Sequence, residues 1–156
     1  MTTELRRETD TARVAGSLEQ EAYLAIQRTA ALLGHALAET IRSLGGLTAT
    51  QYNVLRILRG AGERGLCRND VRDRMITQVP DVTRLLDRME EMGVIERSRE
   101  GADRRYVTTR ITDDGLRLLS ELDGPVADAH RRLLGHLGEE SLRTLIGLLA
   151  EAREKV

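Results

Sequence analysis

From residue 17 onward, apolar positions recur at helical spacing, with one change of period near residue 94. Between Leu18 and about Leu44 they fall at Tyr23, Ile26, Leu33, Leu37, Ile41 and Leu44, which predicts one long amphipathic helix. Ser17, with Gln20 three residues on, is a candidate cap, and Gly45-Gly46 are stop signals. The helix is long and its apolar stripe broad, as expected of a helix packed both on its own domain and on a second subunit. Residues 1–16 have no clear period and are expected to form an N-terminal arm.

"LTATQYNVLRILRGAG" predicts a second helix, with Thr48 and Gln51 as a capping box and Tyr52, Leu55, Ile57 and Leu58 inward. "CRNDVRDRM" predicts a short third helix burying Val71 and Met75. "TQVPDVTRLLDRMEEMG" predicts a fourth, with Val82, Leu85, Leu86, Met89 and Met92 spaced i, i+3, i+4, i+7, i+10 and Pro80 in its first turn. The period then changes. "VIERSR" and "RYVTTRI" predict two strands around an "EGAD" turn. Thr112 caps a long helix through "GLRLLSELDGPVADAHRRLLGHL", with a bend expected at Gly124-Pro125. "EESLRTLIGLLAEARE" predicts a last helix, apolar at Leu142, Leu145, Ile146, Leu148 and Leu149.

The fold class that follows is mainly α with a small β-hairpin. The third and fourth helices have the spacing of a helix-turn-helix, whose second helix can enter a major groove, and a charged hairpin follows as a wing. Charge supports this more than the net value of −1 suggests. Residues 97–110 carry five arginines against Glu100 and Asp103, a local +3, on a chain otherwise neutral or acidic. Lys155 is the only lysine, and arginine's planar fork suits phosphate and base edges. With three tyrosines and no Phe or Trp, stacking on single-stranded nucleic acid is disfavoured. Without a long apolar run or a signal core at the N-terminus, a cytoplasmic protein with no membrane segment is expected.

In their order and spacing, "LTATQYNVLRIL", "PDVTRLLDRMEEMGVIER" and "ADRRYVTTRITDDG" make residues 18–152 resemble the multiple-antibiotic-resistance-regulator (MarR) family of winged-helix transcription factors. The resemblance implies a homodimer. Residues 17–46 and 113–156 would form its base, and residues 47–112 a winged helix-turn-helix lobe reaching half of a pseudo-palindromic operator. It also implies that small anionic or phenolic compounds bind between base and lobe, here near His35, Arg42, Tyr52 and Arg56. The chain departs from the family pattern at Cys67, usually Ser or Thr, and at Glu100-Gly101-Ala102, where Asp-Pro often precedes the wing Asp.

The candidate DNA-binding residues are Gln78, Pro80, Asp81, Thr83, Arg84 and Arg88 on the fourth helix, and Arg99, Arg104 and Arg105 on the hairpin. Arg84 suits guanine and Gln78 adenine, while Asp81 suits either cytosine or the helix N-terminus. Asp103 would be repelled by phosphate and is expected to fix the wing through a neighbouring arginine. His35, His130 and His136 lack ligand spacing, so neither metal nor cofactor is expected, and no nucleophile–base set points to an enzyme. Two alternatives stand beside the regulator: an oxidant sensor working through Cys67, and a winged-helix module for protein contacts.

Overall fold

The computed structural model describes residues 16–99 and 106–156. The chain divides into two units, Met1–His35 and Ala36–Val156. The described part of the first is Gly16, Ser17 and the N-terminal portion of α1 (Leu18–Gly45). Ser17 opens that helix as expected, its Oγ accepting from the Gln20 amide at 3.3 Å.

The second unit holds the end of α1, then α2 (Ala49–Ala61), β1 (Leu66–Cys67), α3 (Arg68–Arg74), α4 (Val82–Glu91), β2 (Ile95–Arg99), β3 (Val107–Ile111), α5 (Asp113–Leu134) and α6 (Gly138–Arg153). Short 3₁₀ turns precede β1 and α6. The Thr48–Gln51 capping box forms in full, at 3.1 Å and 2.9 Å. Ile41, Leu55, Leu58, Leu86, Met89, Ile95, Leu119 and Leu122 are buried together and form the centre of one core. At about 25 cal/mol per Å² of apolar surface, this core is what holds the helices on the sheet.

The sheet has three strands in the order β1-β3-β2, all antiparallel. Its third strand is not visible in the hydrophobic pattern, because two residues are too few to show a period. Gly65 makes it possible. Its φ is +64°, and a Cβ there would lie 2.6 Å from the Thr109 carbonyl oxygen, so only glycine lets β1 approach β3.

Three further expectations are corrected. Helix α4 starts at Val82, not near Thr77, so Pro80 stands before the helix. Pro80 drives Val79 away from helical geometry, and Asp81, at φ −135°, becomes the cap. Met92, expected inside, is exposed at the C-cap of α4. Helix α5, expected to run through Leu137, ends at Leu134 with Pro125 inside it, and a 3₁₀ turn leads into α6. Gly115 in its first turn is obligatory: a Cβ would meet the Val94 carbonyl oxygen at 2.2 Å. The Thr112 hydroxyl secures this junction, accepting from the Gly115 amide at 3.1 Å and donating to the Gly93 carbonyl at 2.7 Å.

Candidate nucleic-acid interface

Helix α4 has one buried face, formed by Val82, Leu86 and Met89. Helical periodicity therefore turns Thr83, Arg84 and Arg88 outward, and all three are exposed. Among the described residues, the Arg84 and Arg88 guanidinium groups make no hydrogen bond or ion pair, so both are available to an anionic ligand. Asp81 caps the helix, its Oδ1 accepting from the Arg84 amide at 2.9 Å. Of the two roles open to Asp81 in the sequence, the structure displays the helix-end one. Gln78 lies in the α3–α4 connection, its amide 3.5 Å from the Arg72 carbonyl oxygen, and Pro80 is exposed beside it.

Arg68 is not among the residues that the sequence points to as DNA-binding. It opens α3, and its Nη1 donates to Thr83 Oγ1 at 3.1 Å, tying the two helices at their N-terminal ends. With that oxygen accepting, the Thr83 hydroxyl proton is left to donate outward. Nothing in a single sequence pairs residues fifteen apart across a turn. The turn itself is fastened by Asn53, whose Oδ1 accepts from the Ile76 amide at 3.0 Å.

The hairpin is less basic than its composition suggests. Arg97 is turned onto α4, where its Nη2 lies 2.6 Å from both Asp87 Oδ1 and Glu90 Oε2. Hydrogen bonding to Glu90, then Asp87, holds its guanidinium above the usual arginine range, against the opposing effect of burial. Arg110 donates from Nε to the Glu63 carbonyl at 2.5 Å and from Nη1 to Ser98 Oγ at 2.9 Å. Arg99, at the end of β2 opposite Val107, is exposed. Asp103, Arg104 and Arg105 lie outside the described residues. The two-residue alternation of a strand gives a usable signal for Arg97: it shares a face with Ile95, which is buried.

A cleft of about 380 Å³ lies between α3, α4 and the sheet, lined among others by Cys67, Arg68, Thr83, Arg97, Tyr106 and Thr109. Cys67 is half-buried and is the N-cap of α3, as its place in the sequence implies. Its Sγ donates to Asp70 Oδ2 at 3.2 Å and caps no backbone amide.

The residues expected near an effector are placed as follows. Tyr52 is buried, and burial raises its phenol above the usual range. The Arg56 guanidinium lies 5.9 Å from the centre of the Tyr52 ring. Arg42 pairs with Glu39 on its own helix. His35 is exposed and belongs to the first unit. Near Tyr52, Arg59 on α2 grips Asp123 on α5 with two bonds, at 2.7 Å and 3.0 Å. That pairing holds the Asp123 carboxyl below its ordinary value.

An outward basic and hydroxyl face on the second helix of a helix-turn-helix, followed by a hairpin, matches what the comparisons with known proteins find. The profile described as "MarR family" matches residues 45–105. A MarR transcription factor from Planctomyces limnophilus is 42% identical, with 86% of this chain and 97% of that one covered and a TM-score of 0.66. The chain belongs to the MarR family. A mutant MarR from E. coli complexed with operator DNA is 25% identical, with 88% of this chain and 99% of that one covered and a TM-score of 0.76. The HTH-type transcriptional regulator FarR of Neisseria gonorrhoeae is 28% identical over 111 residues, which are 71% of this chain and 75% of that protein. This MarR-family chain is thus a DNA-binding transcriptional regulator with a winged-helix fold. Among the described residues, no helix is long and apolar enough to cross a membrane.

Proposed function

We propose that this MarR-family regulator is a cytoplasmic homodimeric repressor that reads a pseudo-palindromic operator, and that a small anionic or phenolic effector releases it. One observation carries the DNA-reading part: Thr83, Arg84 and Arg88 stand exposed on the face of α4 opposite Val82, Leu86 and Met89. In this arrangement α4 enters the major groove, Arg84 forks onto a guanine and Gln78 reaches an adenine. Thr83 and Arg88 take phosphates, and Arg99, Arg104 and Arg105 carry the hairpin onto the flanking backbone, with Asp103 bracing it. Pro80 and Asp81 shape the start of the helix rather than contact bases.

Two observations support a small-molecule effector. The cleft of about 380 Å³ beside Arg68 and Thr83 is of ligand size and adjoins the reading helix. The Arg56 guanidinium over the Tyr52 ring offers a second cationic place at α2. An effector acts here by preferring a conformation that does not fit the operator, and its effect is limited by that preference.

The test begins with a duplex selected by the protein from a random pool. Its affinity should fall with salt at a log–log slope of about 0.9 for each phosphate neutralised. Arg84→Ala should cost roughly 1–3 kcal/mol of preference for the selected duplex over random DNA. A flat salt profile sinks the phosphate-bound hairpin, and an unchanged preference removes Arg84 as a base reader.

A further inference from the structure

The geometry points to Arg97 as a positioning residue for DNA recognition: it sets where α4 stands relative to the β2–β3 hairpin, and it does not itself touch DNA. This rests on the DNA-reading role of α4 given above. Four hydrogen bonds carry the argument. Arg97 Nη2 donates to Asp87 Oδ1 and to Glu90 Oε2, each at 2.6 Å. Its Nε donates to the same Glu90 oxygen at 3.0 Å, and its backbone N–H donates to Glu90 Oε1 at 3.1 Å. Asp87 and Glu90 are one helical turn apart, so a single strand residue grips the C-terminal half of α4 at two heights.

The N-terminal half of α4 is held separately, by the Asp81 cap and by Arg68 on Thr83. A helix of ten residues fastened at both ends has one orientation to offer a groove. The charge balance excludes the other role for Arg97. One guanidinium faces two carboxylates, so the cluster presents no net positive charge to a phosphate. Its side chain is 22% exposed, which shields the pairs from salt more than surface pairs are shielded. Nη2 alone bonds both acids and Nε adds a further bond to Glu90, so a lysine, with one nitrogen, can keep the charge and part of these bonds but not the Nε one.

The experiment compares wild type, Arg97→Gln, Arg97→Lys and Glu90→Gln for affinity to a duplex selected by the wild type and to random duplex of equal length, across a salt series. The expected result for Arg97→Gln is a loss of about tenfold in the selected-over-random ratio, the scale of one mismatched base pair, with the salt slope unchanged. Arg97→Lys should recover part of that ratio. Glu90→Gln removes a negative charge from the DNA-binding lobe, so electrostatics alone would strengthen binding; the positioning role requires it to lower the ratio instead. The proposal is overturned if Arg97→Gln weakens both duplexes equally with a slope smaller by about 0.9 per protomer, the mark of a lost phosphate contact. It is overturned equally if Glu90→Gln strengthens both duplexes at a constant ratio. Should Arg97→Gln fail to fold, Glu90→Gln, which keeps the side chain's shape, decides the matter. Wild-type binding that shows no preference for any selected duplex is a distinct outcome, because it removes the DNA-reading role of α4 on which positioning depends.

Discussion

Gly115 and Gly60 are both helical glycines, and their surroundings give them opposite expectations. A Cβ on Gly115 would sit 2.2 Å from the Val94 carbonyl oxygen, a backbone atom that cannot step aside without moving the start of β2. Gly115→Ala should therefore destabilise the fold by roughly 1–3 kcal/mol, despite alanine's better helix propensity. A Cβ on Gly60 meets nothing within 4 Å, so Gly60→Ala should stabilise by about 0.5 kcal/mol. Denaturant midpoints of the two variants check the pair, and a shift in the same direction would refute the packing argument. Cys67 is a third residue whose place is informative. It occupies an N-cap while capping nothing, its thiol directed to Asp70. Serine there can accept from the backbone, so Cys67→Ser should gain about 0.5–1 kcal/mol and leave DNA binding unchanged. Loss of operator binding on peroxide treatment in the wild type alone would instead favour the oxidant-sensor alternative.

At the scale of elements, the helices were legible because their apolar faces and caps are local. Thr48 with Gln51, Thr112 with Gly115, and Ser17 with Gln20 all appear in the sequence at the spacing where the structure uses them. The start of α4 is not legible from periodicity, because the apolar face beginning at Val82 does not show which residue caps the helix. The Pro80-Asp81 pair decides that, through proline's effect on Val79 and the Asp81 side chain. For Arg97, strand alternation marks an inward side chain but not its partners Asp87 and Glu90 on the preceding helix. Strand β1 was not legible, since it depends on Thr108 and Thr109 far along the chain. The same is true of Arg59 and Asp123, 64 residues apart, which join α2 to α5. The bonds are bidentate, but both side chains are more than a third exposed, so solvent screening limits the pair to about 0.5–1 kcal/mol. Its pH dependence follows from the lowered Asp123 pKa. A carboxyl held below its unfolded value stabilises the fold fully above that value and loses the contribution as pH falls through the folded one. Asp123→Asn should thus be less stable than wild type at neutral pH, with the difference shrinking once pH drops below about 4, near the ordinary value of 3.8. A constant difference down to strongly acid pH would show that charge is not what joins the helices.

At the scale of the molecule, the distribution of exposed apolar side chains bears on assembly. In α1, Tyr23, Ile26, Leu32 and Leu44 are exposed, and α6 buries none of its residues within the chain, leaving Leu145, Ile146 and Leu148 outside. Both helices nevertheless have the apolar periodicity of buried elements, and a single chain of 156 residues leaves these faces in water. A second copy is the covering that the proposed operator symmetry requires, because a pseudo-palindrome demands a two-fold partner. Sedimentation at micromolar concentration should therefore give about twice the chain mass of 17.4 kDa. Replacing Ile146 and Leu148 by Glu places charge on that face without touching the core around Leu55 and Leu86, so the monomer produced should keep its helical content. It should also lose about 10²–10⁴-fold in operator affinity, because the second half-site is no longer delivered at high effective concentration. A monomeric wild type that binds the full operator as tightly as this variant would end the dimer proposal, and with it the account of these helices as a shared base.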